Sequence, residues 1–199
     1  MTRGRRHGDA GQAFPIYITV VGGLLFLALA YFAVGQAGAN RNSAQTAADA
    51  AALAAAQETR DQLADEWVKK VRDPDSWQDI FDGLVAGLGP SCWRAEQLAA
   101  QNEARLDACA PDGPLEHTVE VTAGEPVGDS IVPGTENKYA RASAKAVIEP
   151  RCTFELPGGD AGDDVLPRLT CKGEHWDLDV KDLGDLPKAE DLFEVHLAD

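Results

Sequence analysis

Ala13 to Val34 reads AFPIYITVVGGLLFLALAYFAV, 22 residues with Thr19 as the only hydrogen-bonding aliphatic side chain, inside a stretch from Gly11 to Asn40 that holds no charge. At about 1.5 Å per residue such a helix is roughly 33 Å long, enough for a hydrocarbon core of roughly 30 Å. Tyr17 and Tyr31 lie towards its ends, where amphipathic rings prefer the headgroup layer. Pro15 falls in the first turn, where its missing N–H would have had no intrahelical partner. A transmembrane helix over residues 13–39 follows.

The flanks give the span a direction. The leader, residues 1–12, carries Arg3, Arg5 and Arg6 against Asp9, whereas only Arg41 lies close to the far flank. Excess Lys/Arg stays cytoplasmic, which places the N-terminus inside and residues 40–199 outside. A cleaved secretion signal competes with a retained anchor, because Ala37-Gly38-Ala39 has the small-x-small form of a cleavage site. The apolar core of such signals is only about 7–15 residues long, which favours the anchor.

Taking the leader's three arginines and one aspartate from the chain's net −15 leaves the exported 160 residues at −17. That sign argues against nucleic acid as a partner, and the length is one domain's worth of core. Cys92, Cys109, Cys152 and Cys171 all lie in this part. An even number in an exported segment, with no C-x-x-C or neighbouring His, reads as disulfides rather than zinc.

Directly after the span the helical pattern continues through residues 40–73. Nine of the thirteen residues from Ala44 to Ala56 are alanine, which loses least on entering a helix. Small residues recur four apart at Gly35/Ala39, Ala44/Ala48 and Ala51/Ala55, a surface flat enough for another helix to approach. Ala48, Ala51 and Ala55 are thereby candidate helix-packing residues. The competing reading is a stable spacer helix, since propensity alone accounts for much alanine. Leu63, Ala64, Trp67, Val68 and Val71 then form a stripe that should lie against the folded domain, with Lys69, Lys70, Arg72 and Pro74 as stop signals.

Residues 74–199 read as an exported α+β domain of short helices and an antiparallel sheet. Ser76-Trp77-Gln78-Asp79 has capping-box form, and Trp77, Ile80, Phe81, Leu84, Val85 and Leu88 keep helical spacing up to Gly89-Pro90. A third helix follows Ser91 and ends at Asn102, as asparagine tolerates the left-handed position past a helix end. Ala104–Cys109, His117–Ala123 and Tyr139–Glu149 read as strands, the last with Ala140, Ala142, Ala144, Ala146 and Ile148 on one face. The segments CTFEL and RLTCKG suit a hairpin around an acidic tip, and the last 26 residues suit a docked strand and a frayed or short-helical end.

Geometry orders the cysteines. One straight helix from Cys92 to Cys109 would separate them by about 25 Å, against the roughly 7 Å that a disulfide spans. A break at Asn102 lets the following strand return and joins Cys92 to Cys109, while the arms of the late hairpin join Cys152 to Cys171.

Catalytic constellations, phosphate loops, zinc motifs and nucleophile elbows do not appear, and His7, His117, His175 and His196 are scattered. Asp160, Asp163 and Asp164 offer hard oxygen ligands. Their loop fits neither an EF-hand nor the glycine-aspartate repeat, since Ala161 stands where that repeat needs glycine, and it reads as a solvated acidic turn. The expectation is a non-enzyme with no cofactor and no metal.

The Arg-rich leader, the entry Gly11-Gln12-Ala13, the single span and then RNSAQTAADAAALAAAQ (Arg41 to Gln57) together resemble the N-terminal segment of Tad/Flp pilus-assembly proteins of the TadE/TadG-like, actinobacterial type. The resemblance covers roughly residues 9 to 60, its specific part being Ala47 to Ala56; the remainder resembles, more loosely, a pilin-like helix-plus-sheet arrangement. It implies a membrane-anchored accessory protein or minor pilin, in contact with the lipid bilayer and, through its N-terminal helix, with other pilus-assembly proteins. Prepilins that are cut after a glycine usually carry glutamate five residues later; counted from Gly11 that position is Ile16, which points to a subunit that stays in the membrane. An anchored or shed extracellular binding module unrelated to pili is the alternative.

Overall fold

The computed structural model describes residues 13–126, 137–156, 166–178 and 186–198. One unbroken helix, α1 (Ala13–Lys69), is the axis of the fold. A 3-10 turn (Pro74–Ser76) leads to two short helices, α2 (Trp77–Phe81) and α3 (Cys92–Gln101), and three long strands, β1 (Ala104–Pro111), β2 (Glu116–Pro126) and β3 (Tyr139–Pro150). Short strands β4 (Cys152–Phe154), β5 (Leu169–Cys171) and β6 (Glu174–Trp176) precede α4 (Ala189–Leu192) and a final strand, β7 (Phe193–Leu197). The main antiparallel sheet has the order β1-β2-β3-β7, and β4-β5-β6 form a smaller one. The α+β architecture expected from the sequence is the one found.

Strand parity decides what the main sheet buries. Val119 and Val121 of β2 stand opposite Ala144 and Ala142 of β3, and Ala146 and Ile148 stand opposite Leu197 and Val195 of β7. These residues share the face covered by α1. Their neighbours, such as Glu120, Ser143 and Lys145, take the other face, where Lys145 bridges Asp112 and Glu116 at 2.9 and 2.5 Å.

Helix α1 stops where its last carbonyls find other donors. The Asp73 N–H donates to the Lys70 carbonyl at 2.8 Å, and Trp77 Nε1 donates to the same oxygen at 3.0 Å. Leu63, Ala64, Trp67 and Val71 of the expected stripe are buried, while Val68 is 38% exposed. Ring contacts running Trp67, Trp77, Phe154, Phe81 and Phe193, with centroids 5.2–6.0 Å apart, tie the end of α1 to α2, the small sheet and β7.

Three local expectations change. The helix expected to reach Leu88 ends at Phe81, because Gly83 takes φ +70 and a Cβ there would come within 2.8 Å of Leu115 Cδ2. The glycine turns the chain while Val85 and Leu88 still pack on the core. Ser76 is no capping-box residue either, since its Oγ donates back to the Asp73 carbonyl at 2.7 Å. Asn102 does end α3, but with its side chain, whose Nδ2 donates to the Leu98 carbonyl at 2.8 Å; Glu103 takes the positive φ, +55.

Two disulfides close the domain. Cys92–Cys109 joins the first turn of α3 to β1 with Cα atoms 5.8 Å apart, and Cys152–Cys171 joins directly opposed residues of β4 and β5. The leader arginines, the tip with Asp160, Asp163 and Asp164, and Val180 lie outside the described residues.

Candidate functional site

Two halves of α1 meet different surroundings. In the first half the large apolar side chains from Phe14 to Val34 are exposed, Leu25 by 60% and Tyr31 by 84%, apart from the half-buried Val21. This is one helix long and apolar enough to cross a membrane. Its lone aliphatic hydroxyl is satisfied internally: Thr19 Oγ1 donates to the Ile16 carbonyl at 2.9 Å, as a polar group in lipid requires.

In the second half the surroundings are protein. Ala47, Ala48, Ala51, Ala52, Ala55 and Ala56 are fully buried, and α1 packs chiefly on β3, α3 and β2. The strand beneath is equally small, with Ala142, Ala144 and Ala146 on its inner face. Two flat alanine surfaces of one chain therefore close on each other, for the same reason that small residues let helices approach. Ala48, Ala51 and Ala55, the candidate helix-packing residues, are thus buried within the chain's own domain, where α1 lies against β3, α3 and β2. Of the small pairs, Gly35/Ala39 remains uncovered: a Cβ on Gly35 would meet nothing within 4 Å, and Ala39 is exposed.

The junction between the halves is pinned. Asn40 Nδ2 donates to the Pro126 carbonyl at 2.9 Å, and Gln45 Nε2 reaches Asp49 Oδ1 at 2.8 Å and the Ser143 carbonyl at 3.3 Å. Asn40, six residues past Val34, thus makes the first side-chain tie from α1 to the sheet among the described residues.

A second feature was not singled out by sequence reasoning. Thr59 Oγ1 lies 2.5 Å from Ser91 Oγ and 2.8 Å from His117 Nε2, all three residues buried. They sit at one side of a cavity of about 330 Å³ walled by Leu88, Pro90, Pro111 and Pro114. Burial lowers the His117 pKa, and among the described residues its Nδ1 has no partner. A Ser-His-acid triad needs serine bonded directly to the imidazole and a carboxylate on its far nitrogen. Here Thr59 intervenes, so the arrangement serves as a polar tie between α1, the start of α3 and β2. The available signal was parity: His117 alternates in register with Val119 and Val121.

Among the described residues no group of three or more His, Cys, Asp or Glu is placed to hold a metal. Neither the curated proteins nor the solved structures contain a match to this chain. Residues 11–58, which take in α1 from its start through the buried alanines, match the Tad family model, described as putative Flp pilus-assembly TadE/G-like.

Proposed function

We propose that this chain is a membrane-anchored, minor pilin-like accessory component of a Tad/Flp-type pilus assembly or secretion system, with a cytoplasmic N-terminus, an extracellular domain and no enzymatic role. In this reading residues 1–12 are a cytoplasmic leader, 13–39 the span, 40–73 the helix on which the exported domain is built and 74–199 the rest of that domain. The observation that carries it is the division of α1 into a bare apolar half and a half buried in the domain, within a segment matching the pilus-assembly family. Lipid and other pilus-assembly proteins meet the bare half, where Gly35 and Ala39 leave the backbone approachable.

Protease added to wall-stripped cells should digest the domain and leave a membrane-held N-terminal stub. Deleting the gene should remove or deplete surface pili, with the wild-type gene restoring them. Unchanged pili, with a protein recovered free of any pilus-assembly partner, would instead support an anchored binding module unrelated to pili.

A further inference from the structure

We propose that the cavity of about 330 Å³ beside Thr59, Ser91 and His117 is a binding site for a small neutral molecule with an apolar body and one hydrogen-bond-accepting oxygen.

The lining selects the charge. Among the described residues three other depressions are edged with charge: Asp107, Glu120 and Arg141 in one, Glu155 and Arg168 in the second, Arg151, Lys172 and Glu174 in the third. Leucine and proline wall this cavity instead, and no Asp, Glu, Lys or Arg among the described residues lines it. His117 adds no charge near pH 7, since burial lowers its pKa. An ion placed here would give up its hydration without a counter-charge.

The polar groups select the handle. Thr59, Ser91 and His117 all line the cavity, and each is more than nine-tenths buried. Ser91 precedes α3, but its hydroxyl is engaged by Thr59, so the first turn of α3 has no side-chain cap. Uncapped first-turn amides are donors. When Thr59 donates to His117 Nε2, the imidazole proton lies on Nδ1, a further donor that has no partner among the described residues. Both features call for an acceptor, which a carbonyl oxygen supplies. Apolar walls around a few convergent polar groups are the usual make-up of small-molecule sites.

The frame is braced before anything binds. Cys92 lines the cavity and is bonded to Cys109 of β1, and the Gly89 N–H donates to Gln62 Oε1 of α1 at 2.6 Å. Gly113, at φ +145, turns the chain between Pro111 and Pro114, whose rings fix their own φ. A cavity of about 150 Å³ accommodates benzene, so this one admits a body of about ten heavy atoms.

1-Indanone is a probe of that size and chemistry. The full chain, labelled with ¹⁵N-histidine and held in nanodiscs, carries His7, His117, His175 and His196, and the imidazole signal missing from His117→Gln identifies His117. 1-Indanone should shift that signal saturably. Indane, the same body without the oxygen, should bind roughly 2- to 10-fold more weakly at equal free aqueous concentration, and indane-1-carboxylate at least about tenfold more weakly. Leu88→Phe, which fills the cavity, should abolish the 1-indanone shift; if that variant fails to fold, the ligand series on the wild-type chain decides alone. An unmoved His117 signal up to the solubility of 1-indanone would overturn the site. Indane binding as tightly as the ketone would overturn the acceptor role, and a carboxylate binding more tightly would overturn the neutral ligand class. A Leu88→Phe protein that melts like wild type and binds 1-indanone unchanged would place the ligand elsewhere and overturn the assignment to this cavity.

Discussion

Ala51→Leu is the substitution that separates a face packed on its own domain from a face kept for a partner. Leucine is nearly as good a helix former as alanine, so helix propensity contributes little. Ala51 is fully buried in the core cluster, where α1 lies against β3, α3 and β2. Forcing extra methylenes into a filled core costs about 1–3 kcal/mol, out of a stability of about 5–15 kcal/mol for a typical domain. At about 2–4 °C per kcal/mol for a domain of this size, the melting temperature should fall by roughly 2–12 °C. Far-UV circular dichroism melts of the full chain in detergent, with the exposed Gln57→Leu as control, give the comparison. The control should stay within about 0.5 kcal/mol of wild type. An Ala51→Leu protein that melts like wild type yet fails to assemble pili would refute intramolecular packing as the role of this face.

Because burial holds the His117 pKa below that of a free imidazole, the unfolded chain takes up its proton first. Stability should therefore be level above about pH 7 and decline as pH falls through about 6.5; urea midpoints between these values read it, and His117→Gln should flatten the slope. Gly83→Ala, at φ +70 with a Cβ meeting Leu115, should destabilise by about 1–3 kcal/mol, seen as a lower urea midpoint with unchanged slope. Replacing both Cys92 and Cys109 by serine should cost about 2–4 kcal/mol and leave a Cys152–Cys171 peptide in non-reducing mass mapping. Recovery of a peptide joining an early cysteine to a late one would contradict the fold.

The parts that were legible in the sequence are those with strong periodicity. The apolar run and the alanine run set one long helix, and the alternation of Ala140 to Ile148 set the inner face of β3. What stayed hidden depended on long-range placement. Alanine spacing shows that a surface is flat, not what covers it, and both Ala48–Ala55 and its cover on β3 were visible without the pairing between them. Likewise the helix from Trp77 was read through Gly83, because only contact with Pro114 and Leu115 demands the left-handed turn there. The Thr59–Ser91–His117 tie joins three elements across separations of 32 and 58 residues, which no local pattern encodes. At the C-terminus, β7 pairs with β3 across the whole small sheet, and the short helix comes before the strand rather than after it.

The central claim is that one rigid helix is both membrane span and domain core, and amide hydrogen exchange of the full chain in nanodiscs tests it most directly. Peptides covering residues 31–44 should exchange slowly throughout, since α1 carries unbroken helical hydrogen bonding across Gly35, Gly38 and Asn40. Rapid exchange confined to residues 35–40, between two protected flanks, would show a hinge there and contradict the account.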